Sequence, residues 1–256
     1  MSRSRWKWKL EREKTGLRRT EPEIWRLKEA SDPYQRISRK ETILFEKEKE
    51  AAMVIGVTGG VGAGKSTVLG ILKKDYQAKL IIADDVAKEL MEKGGASYDA
   101  VIEAFGKEIL NEAGEIDRPK LSSIVFENEE KLKLLNSLTH PKVKEEILSR
   151  ISAFYEEDKS QLIVIEAALL IEAGYEDILD SLWFVYVEKE IRIGRLMRDR
   201  AYTRDQANGI MSKQLSDEEF REHADFIVDN SGTLAETAAQ VAIFFANPSA
   251  HLRTKE

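Results

Sequence analysis

The stretch from Val54 to Thr67, VIGVTGGVGAGKST, sets an apolar run of β-formers directly against glycines, a lysine and two hydroxyls. From Gly59 to Ser66 it fits the pattern G-x-x-x-x-G-K-[ST], with an apolar strand (Met53 to Val57) before it and a helix-like stretch (Ser66 to Lys74) after it. Glycines let successive backbone N–H groups turn inward, and the following helix points the positive end of its dipole at the same place. Such a loop holds phosphate. Lys65 is expected to reach the β- and γ-phosphates of a nucleotide, Ser66 to offer its hydroxyl to Mg2+, and Thr67 to bond the next phosphate inward. A merely tight turn accounts for the glycines but for neither the lysine nor the paired hydroxyls. The expected nucleotide contacts are therefore Gly60, Val61, Gly62, Ala63, Gly64, Lys65, Ser66 and Thr67.

Composition narrows the remaining chemistry. The 256 residues include no cysteine, which excludes disulfides, thiolate metal sites and cysteine nucleophiles and agrees with a reducing cytoplasm. The three histidines, His140, His223 and His251, lack metal-ligand spacing, so the metal expected is Mg2+ arriving with the nucleotide. No apolar run is long enough to span a bilayer, and the charged N-terminus does not read as a signal peptide.

Charge divides the chain. Residues 1–52 carry 15 Lys+Arg against 10 Asp+Glu, leaving 25 against 36 for the rest. This basic segment, with Trp6, Trp8 and Trp25 among its charges, contains no strand that could join a sheet. It reads as a solvated extension rather than a nucleic-acid or membrane surface, and Met53, where the first strand begins, is a candidate natural start.

From Met53 onward short apolar strands alternate with helical segments: Lys79 to Ala83, Gln161 to Ala167, Ser181 to Glu188 and Asp225 to Asn230 follow the first. The expected fold is α/β, a doubly wound parallel five-stranded sheet with ligands at the strands' carboxyl ends. Between the second and third strands a long helical region, about 85–157, forms an insertion suited to cover an acceptor substrate. Residues 247–256 read as a loose tail.

Asp84 and Asp85 are expected to end the second strand and Glu166 the third, so that both sites open towards the loop. In phosphoryl transfer one such acid orients Mg2+ or its waters while another accepts the proton of the attacking hydroxyl. Alternatively, Asp85 caps the helix that follows. After the fourth strand comes an arginine-dense stretch at about 189–215 that includes Arg192, Arg195, Arg198, Arg200 and Arg204. A closing lid there brings guanidinium groups onto the transferring phosphate.

These segments together resemble the dephospho-coenzyme A kinase family, from Met53 to about Phe245. The likeness is carried by GVTGGVGAGKSTV, ADDVAKEL, FGKEILNEAGEIDRPKLSSIVF, LTHPKVKEEI, EAALLIEAGY, RLM and ADFIVDNSGT, in the family's order and spacing. The loop motif is shared by many P-loop NTPases, including nucleoside monophosphate kinase-like folds; the FG, DR, L, VF series and the HP step are far more particular. The resemblance implies ATP-dependent phosphorylation of the ribose 3′-hydroxyl of dephospho-CoA, with Mg2+, in the last step of CoA synthesis. It further implies Asp84 as catalytic base, Gly62 to Thr67 as the ATP loop, Arg118 and His140 as acceptor contacts and Asn230 near adenine; Ser66 and Glu166 are the metal contacts expected from the residues themselves. Its partners are then two small molecules, with no nucleic acid and no membrane; oligomeric state stays open.

The chain departs from the family at Ile82-Ala83-Asp84, where D-A-D is usual. It departs again at Glu166-Ala167-Ala168-Leu169-Leu170-Ile171-Glu172, which has glutamate for aspartate and no proline. In the lid, Arg195 is followed by Asp199-Arg200, so either Arg198 or Arg200 is the second arginine. A kinase for another small acceptor shares the loop and lid, and a catalytically dead nucleotide-binding module keeps the same fold. A GTPase switch also needs an N-K-x-D base-reading motif, which does not occur.

Overall fold

Strand β1 (Met53–Thr58) is buried from Val54 to its end, as a central strand covered on both faces must be. The computed structural model describes residues 53–253 other than 127, 168, 169, 172 and 173, so the expectations for residues 1–52 lie outside the described residues. Four further strands complete a wholly parallel sheet: β2 (Lys79–Ile82), β3 (Leu162–Glu166), β4 (Ser181–Tyr186) and β5 (Phe226–Asp229). Their order is β2-β3-β1-β4-β5, which puts the chain reversal beside β1 and makes its carboxyl end the binding edge. Register brings Val57 and Ile82 to either side of Glu166, so the three ends are level.

Helices cover both faces. On one side α1 (Lys65–Asp75) packs with α9 (Leu234–Ala246). There Trp183 meets Phe244 and Phe226, with ring centroids 4.6 and 5.0 Å apart. On the other side α2 (Ala83–Leu90) and α5 (Glu129–Glu157) bury Val86, Val143 and Ile147 against Ile81, Ile163, Ile165 and Leu182. Helix α8 (Asp217–His223) stacks Phe220 on Phe184 on that face, at 4.8 Å.

The insertion is helical as expected, with α2, α3 (Tyr98–Phe105), α4 (Arg118–Phe126) and α5; a single antiparallel bridge, Leu110 to Ile116, is its only sheet-like pairing among the described residues. It has its own core of Val101, Phe105, Ile109, Ile116, Leu121 and Val125, against which Leu135 and Leu138 of α5 pack. Beyond Pro141 the same helix turns Val143 and Ile147 to the sheet core. One 29-residue helix thus joins the two cores, with His140 at their seam.

The strand boundaries differ from expectation by one or two residues, and three differences bear on the site or the tail. Strand β2 stops at Ile82, and Ala83 begins α2, so Asp84 and Asp85 lie in the first turn of a helix, where their charge complements the dipole. Strand β4 stops at Tyr186, two residues early, because Glu188 leads into α6 (Lys189–Arg200). Residues 247–253 are not loose. After a 3-10 turn (Pro248–His251), the Arg253 guanidinium pairs with Asp225 at 2.8 Å and Glu176 at 3.3 Å and donates to the His223 carbonyl at 2.9 Å. Those partners are remote in sequence, which is why the tail reads as free from the sequence alone.

Candidate active site

The loop between β1 and α1 has the backbone that its glycines predict. Gly62 and Gly64 adopt φ values of 79° and 81°, in the left-handed region, and Gly64 is the N-cap of α1. Two internal bonds shape it, Ala63 N–H to the Gly60 carbonyl at 3.1 Å and Thr67 N–H to the Gly64 carbonyl at 2.9 Å. The N–H groups of Gly62 and Gly64 have no acceptor in the described protein, and those of Lys65 and Ser66 open the helix. Four donors therefore converge where a phosphate would sit. The Ser66 side chain is exposed beside them.

Lys65 reaches across the loop, donating to the Gly59 carbonyl at 2.8 Å and facing Glu166 at 3.4 Å. Burial pushes the Glu166 carboxyl above its ordinary range; Lys65 pulls it down, and Asp84 and Asp85 push it up. Asp84 is therefore close enough to act on Glu166. It is exposed and makes no hydrogen bond or ion pair with the described residues, whereas Asp85 is held by Lys88 at 2.6 Å.

The arginine-rich helices are α6 and α7 (Arg204–Met211), which are clasped by Arg204 on both carboxylate oxygens of Glu190, at 3.1 and 2.9 Å. Arg195 donates to the Asn230 carbonyl at 2.8 Å, beside Gly64. Arg198 is engaged with the adjacent Asp199 at 2.6 and 3.0 Å, and Arg200 ends α6 with no ion pair among the described residues. Of the three, Arg195 alone touches the loop region.

Two expected contacts have other partners. The Asn230 amide donates to the Ala63 carbonyl at 2.9 Å, and its oxygen accepts from Thr237 at 2.9 Å, so its side chain braces the loop. The Val61 N–H, in the stretch expected to contact the nucleotide, donates to the Gln214 side chain at 3.0 Å, and the Val61 side chain packs on Ile193, Leu196 and Ala207 of the lid helices. Arg192, expected with the other lid arginines to face the transferring phosphate, and Gln214, absent from the expected contacts, both grip this residue. The Arg192 Nε donates to the Val61 carbonyl at 2.6 Å and its terminal nitrogen to Gln214 at 2.6 Å. The run of arginines signals a basic helix, but not which arginine turns inward.

In the insertion, Arg118 opens α4 and donates to the Lys88 carbonyl at the end of α2, at 3.2 Å. His140 is half-buried at the seam of α5.

A model of the dephospho-CoA kinase family matches residues 53–236. The dephospho-CoA kinase of Carboxydothermus hydrogenoformans is 42% identical over 188 residues, 73% of this chain and 90% of that protein. That of Streptococcus pyogenes is 36% identical over 200 residues, 77% of this chain and 100% of that protein. A solved dephospho-CoA kinase from Campylobacter jejuni superposes with a TM-score of 0.58 at 27% identity, covering 77% of this chain and 99% of that one.

Proposed function

The chain belongs to the dephospho-CoA kinase family, which phosphorylates dephospho-CoA to CoA in the last step of CoA synthesis, and from that premise we propose a division of labour among its residues. ATP places its phosphates in the loop, against the free N–H groups of Gly62 and Gly64 and the first turn of α1. Lys65 turns from the Gly59 carbonyl to the β- and γ-phosphates.

Mg2+ suits the oxygens on hand. Among the described residues no cluster of three or more His, Cys, Asp or Glu is placed to cage a metal, while the Ser66 hydroxyl and Glu166 carboxylate are the hard donors that Mg2+ combines with phosphate and water. Bound there, the ion supplies charge neutralisation at the β- and γ-oxygens.

Asp84 receives the proton of the acceptor's 3′-hydroxyl as its oxygen bonds to the γ-phosphorus; the bond from that phosphorus to the β,γ-bridging oxygen breaks, and ADP leaves. Arg195, with Arg198 or Arg200 from the lid, stabilises the charge on the transferring group. Arg118 and His140 face the acceptor from the helical insertion. The proposed location is the cytoplasm, in keeping with a chain that has no cysteine.

The observation that carries the reading is the state of three carboxylates at the binding edge: Glu166 is paired with Lys65, Asp85 with Lys88, and Asp84 alone is free among the described residues. The test is ADP formation from Mg·ATP with and without dephospho-CoA. ADP released only with dephospho-CoA supports the reading; equal release with and without it, or none, removes it.

A further inference from the structure

Val61 is held from three directions, and all three lead to the lid segment or the turn that closes it. Its N–H goes to Gln214, its carbonyl to Arg192, and its side chain into the cluster of Ile193, Leu196 and Ala207. The same Gln214 oxygen accepts from Arg192, so the two side chains form one clamp. Gly60 completes the fit: a Cβ there would overlap the Arg192 guanidinium, so the first turn of α6 lies directly on the loop.

A trans peptide points its carbonyl and the next N–H in opposite directions. With the Val61 carbonyl drawn to Arg192, the Gly62 N–H turns away from the lid, and it is one of the donors left without a protein acceptor. A charged donor on the carbonyl also polarises the peptide and strengthens the N–H on its far side.

The charge itself is notable. Arg192 is 6% exposed and has no ion pair among the described residues. Burial shifts it towards its neutral form, with only Asp217 opposing this at a distance. A guanidinium desolvated without a carboxylate is costly unless an anion arrives.

We propose that Arg192 is a positioning residue for nucleotide phosphates. Together with Gln214 it fixes the Val61–Gly62 peptide so that the Gly62 N–H faces the phosphate chain, and the bound polyphosphate supplies the anion its buried charge lacks. The inference rests on the loop holding ATP and gives Arg192, read from the sequence only as one of several lid arginines, a place on the loop backbone.

The test measures binding of ATP, inorganic tripolyphosphate and dephospho-CoA to the full chain by calorimetry. Arg192→Gln is expected to weaken ATP and tripolyphosphate by the same factor, about tenfold or more, the worth of a charge-assisted hydrogen bond, and to leave dephospho-CoA within about twofold. Arg192→Lys, which keeps the charge but loses the fork, recovers part of the loss. Gln214→Ala shows the same pattern, and the double variant loses little more than the worse single one, because the two side chains act as a unit. If Arg192→Gln does not fold, Gln214→Ala decides alone. ATP binding within twofold of wild type in the folded variants, or an equal loss for dephospho-CoA, overturns the inference while leaving the functional reading in place. A wild-type chain that binds neither ATP nor tripolyphosphate overturns both.

Discussion

Lys65 and Glu166 face each other across the phosphate-binding loop, 3.4 Å from ammonium to carboxylate, with the Lys65 ammonium also donating to the Gly59 carbonyl at 2.8 Å. Sheet register explains the meeting. Glu166 lies level with Val57, the last residue but one of β1, and Lys65 begins the helix that the loop returns to the sheet. The ammonium is thus held over the loop, and on the proposed reading a triphosphate takes the place of these partners.

Lys65→Ala is expected to lower turnover about a hundredfold or more, the usual consequence of losing one preorganised charge contact to the transferring group, while circular dichroism stays unchanged. Near-normal turnover would remove the loop from the mechanism.

Glu166 gives a pH signature. Its carboxyl is shifted upward, first by burial, so the folded state favours the protonated form. The stability that this contributes is fully present below the ordinary carboxylate value of about 4.3 and is lost as pH rises through the shifted folded value. In thermal melts from pH 4 to pH 8, the stability of wild type relative to Glu166→Gln should fall as pH rises. A gap that widens in favour of wild type would mean that the Lys65 pair outweighs burial.

The two adjacent aspartates separate cleanly. Asp84→Asn keeps the size but cannot take a proton, and should lose turnover by roughly a hundredfold or more with ATP binding retained. Asp85→Asn loses only the exposed pair with Lys88 and should change turnover by less than about threefold. Assays at saturating dephospho-CoA compare them; a crippled Asp85 variant beside an active Asp84 variant would reverse the assignment.

The parallel sheet, the loop and the helical insertion were legible because each rests on local pattern: apolar runs of strand length, glycines with a lysine at fixed spacing, and amphipathic helices without strand alternation. Asp84 was singled out from its position after the second apolar run and from the family resemblance, but its place in a helix turn rather than a strand depended on where β2 stops, and strand ends are set by the following helix as much as by the strand. What stayed hidden is the inward turn of Arg192 and the engagement of Asn230 and Val61. Each depends on partners more than a hundred residues away: Val61 is 131 positions from Arg192, and Asn230 is 167 from Ala63. Arg192 and Arg195 point at the loop while Arg198 meets Asp199, a sorting made by packing of α6 and not by its spacing.

The tail gives a stability prediction. Arg253→Ala removes two ion pairs and a hydrogen bond from a largely buried guanidinium and leaves Asp225 without that cation. A loss of about 1–3 kcal/mol is expected, seen as a melting temperature lower by about 2–4 °C for each kcal/mol, with turnover below the transition unchanged. An unchanged melt would mean that the tail contributes nothing to the fold.

The most direct measurement is the phosphorus NMR spectrum of the product formed from Mg·ATP and dephospho-CoA, with ADP counted in the same sample. The account predicts one new phosphomonoester on the ribose 3′-oxygen for each ADP released, and loss of both signals in Asp84→Asn. ADP without a phosphorylated acceptor, or an acceptor phosphorylated at another position, would contradict it.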